Sequence, residues 1–334
     1  IPDQDSFSLS ADILNPEGWS IDGTEVAVTA RLADAFNNPV PDGTAVSFTT
    51  EGGSIEPSCT TLNGVCTVTW SSQYPKPEGH ILGDVNNPTH LPESINTMGQ
   101  KYGGRATIVA TAIGEESFPD LNGNGRFDES EMSAFAGTDV SGRPYDLKEA
   151  YADYNEDGFY NPGEESAFEQ IGGELEEFYD FNNDGTFTLN DGLYNGVLCS
   201  IPAHAGCSSE QKSINVRAQL VLVMSGSGAN FVTNSPADGN LVIIGESTGS
   251  ATVTIADLHN QPMPYGTKIE FTATAGSVVA GSPVEWANDN HNGGGAFTVI
   301  VKGEKEPKTG SLIVEVTSPS GVISAYTVAS IEIQ

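Results

Sequence analysis

The sequence predicts an all-β chain, built as two tandem β-sandwiches, the first carrying a long, loop-rich insert with short helices. Three observations predict this. Short segments of alternating apolar and polar residues, parted by Gly, Pro and Asn, recur along most of the 334 residues, and that is the pattern of half-buried strands. The stretch from Leu32 aligns without gaps on the stretch from Ile255, an internal repeat of one unit. Between two strands of the first half lies an acidic block in which the alternation stops.

The strands follow in order. In 25–32, Val26, Val28, Ala30 and Leu32 fall on one face; in 44–49, Val46 and Phe48 do so. Segments 65–70, 105–113 and 214–224 read as further strands of the first half. The second half supplies 241–244, 251–255, 268–273, 296–301, 311–316 and 325–333. Many short alternating strands with regular turns indicate sandwiches. Hairpin links usually take about 2–5 residues, and links beyond about 15 are functional or separately folded. Two excursions exceed that length: 71–104, rich in Pro, Asn and Gly, and the acidic block. The expected division is therefore 1–113 plus 212–232 for the first sandwich, 114–211 for the insert and 233–334 for the second sandwich.

In the repeat, Pro39, Pro41, Gly43, Thr44, Phe48, Thr49, Gly53 and Ser54 recur as Pro262, Pro264, Gly266, Thr267, Phe271, Thr272, Gly276 and Ser277. The physical reading is a strand, a proline-stiffened turn and a second strand, because proline presets a turn and cannot donate to a ladder. At these residues, and at 60–68 (TTLNGVCTV), the chain resembles bacterial immunoglobulin-like (Ig-like) domains of the invasin and intimin type. In the second copy, 288–295 (NDNHNGGG) replaces the short Asn-Gly turn. The resemblance implies an extracellular rod or adhesin segment of a bacterial surface protein, and it names no ligand.

Charge narrows the partners. The formal net charge is −32, which argues against nucleic acid and anionic membrane. Residues 115–191 hold 21 Asp and Glu against Arg126, Arg143 and Lys148. Such a block repels itself unless neutralised. Its aromatic residues, Phe127, Tyr160 and Phe187 among them, argue against a disordered, solvated tail. The cysteines come as two close pairs, Cys59 with Cys66 and Cys199 with Cys207. Each spacing fits a local disulfide in an oxidising compartment, with free buried thiols as the alternative. No apolar run is long enough to span a bilayer. The opening Ile1 suggests a processed or excised piece.

Three twelve-residue stretches in the acidic block match the requirements of calcium: 120–131 (DLNGNGRFDESE), 153–164 (DYNEDGFYNPGE) and 180–191 (DFNNDGTFTLND). A hard cation takes oxygen ligands from alternating positions and a backbone carbonyl, with glycine at the sharp bend. The first loop offers Asp120, Asn122, Asn124, the Arg126 carbonyl, Asp128 and Glu131. The second offers Asp153, Asn155, Asp157, the Phe159 carbonyl, Asn161 and Glu164. The third offers Asp180, Asn182, Asp184, the Thr186 carbonyl, Thr188 and Asp191, whose last residue is one carbon shorter than the usual Glu. The loops resemble EF-hand and dockerin loops. Pro144, Pro162, Gly172 and Gly173 leave room only for short helices, expected at 147–152, 166–170 and 174–179. Two to three Ca²⁺ ions would act as cross-links, and an Asx-turn without metal is the alternative at each loop.

No HExxH, GxSxG or Walker-type motif is present, and no enzyme is expected. His80, His90, His204, His259 and His291 are scattered. Trp19, Trp70 and Trp286 fit core or edge positions better than a sugar platform. The expected function is structural and adhesive, with neighbouring domains of a longer surface protein or filament as partners and the bacterial cell surface as location. A calcium-dependent glycan- or protein-binding module, working as a dockerin does, is the alternative, followed by an enzyme accessory domain.

Overall fold

The computed structural model describes residues 1–77, 103–154, 156, 158–160, 162 and 176–334. They form two β-sandwiches and an insert. In the first sandwich, one sheet runs in the order β1 (Phe7–Ala11), β2 (Glu25–Leu32), β6 (Val65–Ser71), β4 (Ser54–Ile55). The facing sheet runs β10 (Ile214–Val223), β7 (Arg105–Gly114), β3 (Ala45–Thr50), β5 (Ser58–Thr60). The predicted alternation sets the core: Val26, Val28, Ala30 and Leu32 of β2 meet Val46, Phe48, Ile108 and Ala110. Each such Val, Leu or Phe contributes about 1.5–3 kcal/mol by leaving water. Trp70 is fully buried, and its Nε1 donates to the Gly52 carbonyl at 2.8 Å. The Cys59–Cys66 disulfide ties β5 to β6, and so one sheet to the other.

Strand β7 departs from alternation: nine of its ten residues are buried. Ala106, Ile108, Ala110 and Ala112 face the core. The opposite face, except the exposed Ile113, is covered by the insert. There Thr107 Oγ1 donates to the Asp153 carbonyl at 3.4 Å, Gln219 of β10 donates to the Tyr151 carbonyl at 2.9 Å, and Arg217 donates to the Lys148 carbonyl at 2.7 Å. The insert leaves and rejoins the sandwich at one rung of the ladder, where Gly114 pairs with Ile214.

The second sandwich packs β11 (Ala229–Ser235), β13 (Thr248–Asp257), β17 (Gly295–Lys302), β15 (Ser277–Ala280) against β12 (Asn240–Ile243), β19 (Ile323–Ile333), β18 (Lys308–Thr317), β14 (Lys268–Ala273), β16 (Val284–Glu285). The aligned turns of the two halves carry the same bonds. Asp34 Oδ1 accepts the Phe36 and Asn38 N–H groups, and Asp257 Oδ1 accepts those of His259 and Gln261. Asn37 and Asn260 take the left-handed conformation at φ 60° and 59°, which Asn tolerates better than most residues.

The junction between the sandwiches is bonded throughout. Asn15 Nδ2 donates to the Met263 and Ala287 carbonyls at 2.8 and 3.0 Å, and Ser225 Oγ donates to the Pro262 carbonyl at 2.6 Å. The Trp19 ring rests on His259 with centroids 3.9 Å apart. Trp286 is buried in the second core. The three tryptophans therefore occupy core and junction positions and form no common exposed platform.

Several details differ from the sequence reading. Residues 229–232, assigned to the first sandwich, belong to β11, which pairs with β13 in the second. Its half-exposed Asn and Thr residues hide the apolar alternation, and Phe231 stacks instead on Tyr326. The helix expected at 147–152 is replaced by strand β8 (Ala150–Tyr151), which pairs with β9 (Phe178–Tyr179), where another helix was expected. The helix expected at 166–170, with His80, His90 and the 78–102 part of the first excursion, lies outside the described residues. The helices of the insert are the short segments Glu129–Glu131 and Met132–Phe135, among the described residues.

Candidate metal centres in the acidic insert

In the first loop Asp120, Asn122, Asn124, Asp128 and Glu131 are tied together by hydrogen bonds. Asp120 Oδ2 accepts the Gly125 N–H at 2.8 Å, and its Oδ1 accepts the Gly123 and Asn124 N–H groups at 2.7 and 3.1 Å. Asn122 Oδ1 accepts from Asn124, and Asn124 Oδ1 accepts from Arg126. Both Asn amides donate to Asp128 Oδ2 at 2.8 and 2.7 Å, which holds the Asp128 carboxyl below its ordinary range. Glu131 is fully buried. Its Oε1 accepts the Leu121 N–H at 2.7 Å and its Oε2 the Asp128 N–H at 2.9 Å. A side chain at the twelfth position thus bridges the second and ninth.

The third loop repeats this arrangement. Asp180 Oδ2 accepts the Gly185 N–H at 2.8 Å and its Oδ1 the Asp184 N–H at 3.1 Å. Asn182 Oδ1 accepts from Asp184, and Asp184 Oδ1 accepts from Thr186 at 2.7 Å. The Thr186 hydroxyl, donating to Asp184, leads the bonds that lower that carboxyl's pKa. The bridge between positions two and nine does not come from Asp191. It comes from Glu149, whose Oε1 accepts the Phe181 N–H and whose Oε2 accepts the Thr188 N–H, both at 2.9 Å. Asp191 turns to the N–H of its own Leu193 at 2.8 Å. The shorter Asp leaves the bridging position to a Glu reaching over from the neighbouring strand.

In the second loop, Asp153 Oδ2 accepts the Gly158 N–H, again at 2.8 Å. Asn155, Asp157, Asn161 and Glu164 lie outside the described residues. The backbones agree at two positions in all three loops: Gly123, Glu156 and Asn183 at the fourth position have φ 72°, 60° and 59°, and Gly125, Gly158 and Gly185 at the sixth have φ 71°, 81° and 77°. Left-handed backbone at the sixth position explains the recurring glycine.

The eighth-position aromatics anchor the loops. Phe127 is fully buried with Phe135, Tyr194 and Cys199. The Cys199–Cys207 disulfide backs it through a bridge between Phe127 and Cys199. Cys199, His204 and Cys207 cluster closely enough to suggest a metal, but with the sulfurs bonded to each other no thiolate is available. Tyr160 and Phe187 lie 4.3 Å apart in a second aromatic group with Tyr151 and Phe178. Arg105 of β7 fixes the second loop. It donates from Nε and Nη2 to both oxygens of Glu156, and from Nη1 to the Asn290 carbonyl at 3.0 Å in the second sandwich.

The donor set consists of carboxylate, amide and carbonyl oxygens on backbones already bent around them. That suits a hard divalent cation such as Ca²⁺ and suits softer, thiol-seeking metals poorly. Sequence reading missed Glu149. The signal available was spacing: Glu116, Glu149 and Glu176 each stand four residues before the first Asp of a loop, and all three are buried.

No family model matches the chain, and no curated protein matches it. Among solved structures it is similar to the adhesin InvE of Yersinia pseudotuberculosis at 14% identity, with 98% of this chain and 58% of that chain covered and a TM-score of 0.24. It is similar to the D0–D1 domains of intimin at 12% identity, with 98% and 94% covered and a TM-score of 0.22. The fibronectin(III)-like modules of Clostridium thermocellum CbhA match at 10% identity, with 97% and 92% covered and a TM-score of 0.25. The chain thus spans a little over half of the InvE chain. Among the described residues, no helix is long and apolar enough to cross a membrane.

Proposed function

We propose that the chain is a non-enzymatic, structural or adhesive segment of a bacterial surface protein, in which calcium holds the acidic insert against the first sandwich. One observation carries the reading: three separate loops put the same N–H, that of the sixth-position glycine, 2.8 Å from the first Asp. Random acidic turns have no reason to agree in this way. In the reading, Ca²⁺ neutralises the crowded carboxylates, and the oxygens of Asp120, Asn122, Asn124, Asp180, Asn182 and Asp184 hold it. Glu131 and Glu149 close the first and third sites. The ions and two disulfides stiffen a module whose two sandwiches and insert are already joined at Arg105. Two disulfides fit an extracellular setting, and the partners are neighbouring domains or a protein or glycan at the cell surface.

The test is thermal unfolding and limited proteolysis with and without a chelator. The reading expects chelation to lower the melting temperature and to open 114–211 to protease while both sandwiches resist. Identical melting and cleavage under both conditions would sink it. A binding-module reading has one observation in its favour: Phe159 and Leu189 of the insert are 69% and 65% exposed. Glycan-array binding abolished by chelation would support it.

A further inference from the structure

The geometry points to a fourth divalent-cation site, assembled from distant parts of the chain: Glu116, Asp146, Asp191, the Leu193 carbonyl and Asn195. The inference rests on reading the three loops as calcium sites.

The correspondence is bond for bond. Asp146 Oδ2 accepts the Gly192 N–H at 2.9 Å, as Asp120 accepts from Gly125 and Asp180 from Gly185. Gly192 has φ 76°, within the range of those two glycines. Asp191 Oδ1 accepts the Leu193 N–H at 2.8 Å, as Asn124 accepts from Arg126 and Asp184 from Thr186. Glu116 bridges the Leu147 and Asn195 N–H groups, both at 2.7 Å, as Glu131 and Glu149 bridge the second and ninth positions of their loops. Tyr194, between them, is fully buried beside Phe127, so it fills the place of the eighth-position aromatic. The first position comes from one segment, the fifth to ninth from a second and the closing Glu from a third. No twelve-residue motif exists to be read.

An independent observation points to a ligand. Asp146 is 7% exposed and Asn195 4% exposed, and Oδ1 of each has no hydrogen-bond partner. Buried polar oxygens are nearly always partnered. Two orphaned oxygens beside the Glu116 and Asp191 carboxylates make an oxygen-only pocket of the kind Ca²⁺ takes. Such an ion would pin the entry of the insert (Glu116) to its middle (Asp146) and to its return (residues 191–195).

The test counts ions. The whole chain is stripped with chelator, reloaded with Ca²⁺ alone and weighed by native mass spectrometry, beside Glu116→Gln, Asp191→Asn and Asp180→Asn. We expect Glu116→Gln and Asp191→Asn each to carry one ion fewer than the parent, and Asp180→Asn also one fewer. Asp191 is exposed, so its variant keeps the comparison if Glu116→Gln misfolds. Unchanged counts in Glu116→Gln and Asp191→Asn, with one ion lost in Asp180→Asn, overturn the fourth site and leave the loop reading standing. No calcium on the parent chain overturns both.

Discussion

The Glu149 carboxylate and the Thr188 N–H are 39 residues apart in sequence and 2.9 Å apart in the fold. The β8–β9 pair makes this possible: Ala150 lies opposite Tyr179, so Glu149 comes alongside the start of the third loop. The prediction is that Glu149→Ala destabilises the protein by about 1–3 kcal/mol even without calcium, because two part-buried N–H groups, those of Phe181 and Thr188, lose their acceptor. With calcium present the loss should be larger, since the ion at the third loop loses its closing carboxylate. Chemical denaturation in both buffers measures this. Equal, small effects in both would show that Glu149 is only a local cap.

Arg105 joins three units. Its side chain is buried, and it bonds Glu156 in the insert and Gln261 and Asn290 in the second sandwich. Glu156 is partly exposed, so solvent screens part of the ion pair. Arg105→Gln should cost about 2–3 kcal/mol, in the range of hydrogen bonds to charged groups, and should loosen the second loop and the junction together. Hydrogen exchange at 150–160 and 288–292 reads this out. Faster exchange in only one segment would contradict the joint role.

The pH dependence follows from buried carboxyls. Burial pushes Asp3 from 3.8 up to about 6, against the bond from Ser117, with the Asp5 and Glu115 charges adding to the rise. The folded chain then holds a proton that the unfolded chain has released. Stability should therefore fall as pH rises from about 4 to about 6. Asp3→Asn should flatten that slope. In chelator a second fall should reach about pH 8, because burial, with the Asp146 and Asp191 charges adding to the rise, pushes Glu116 to about 8. Melting temperatures across this range check both. A rise in stability over the same window would contradict them.

Much of the fold could be read from single residues. Alternating apolar residues placed β2, β3, β6, β14 and β17, since each strand hides one face. β11 was not legible, because Asn230 and Thr233 sit half in solvent, Asn234 is exposed, and all three carry little apolar signal. The first Asp and the glycine of each loop were legible because a local turn needs them. Glu149 was not, because it acts across a strand pair. For the same reason Asp191 was assigned to the third loop, whereas its carboxylate faces Leu193.

Anomalous diffraction from crystals grown with Ca²⁺ decides whether divalent ions sit within the acidic loops. A peak is expected in the first and third loops, about 2.3–2.6 Å from the Asp120 and Asp180 carboxylates. Ordered loops with water alone beside those oxygens would contradict it.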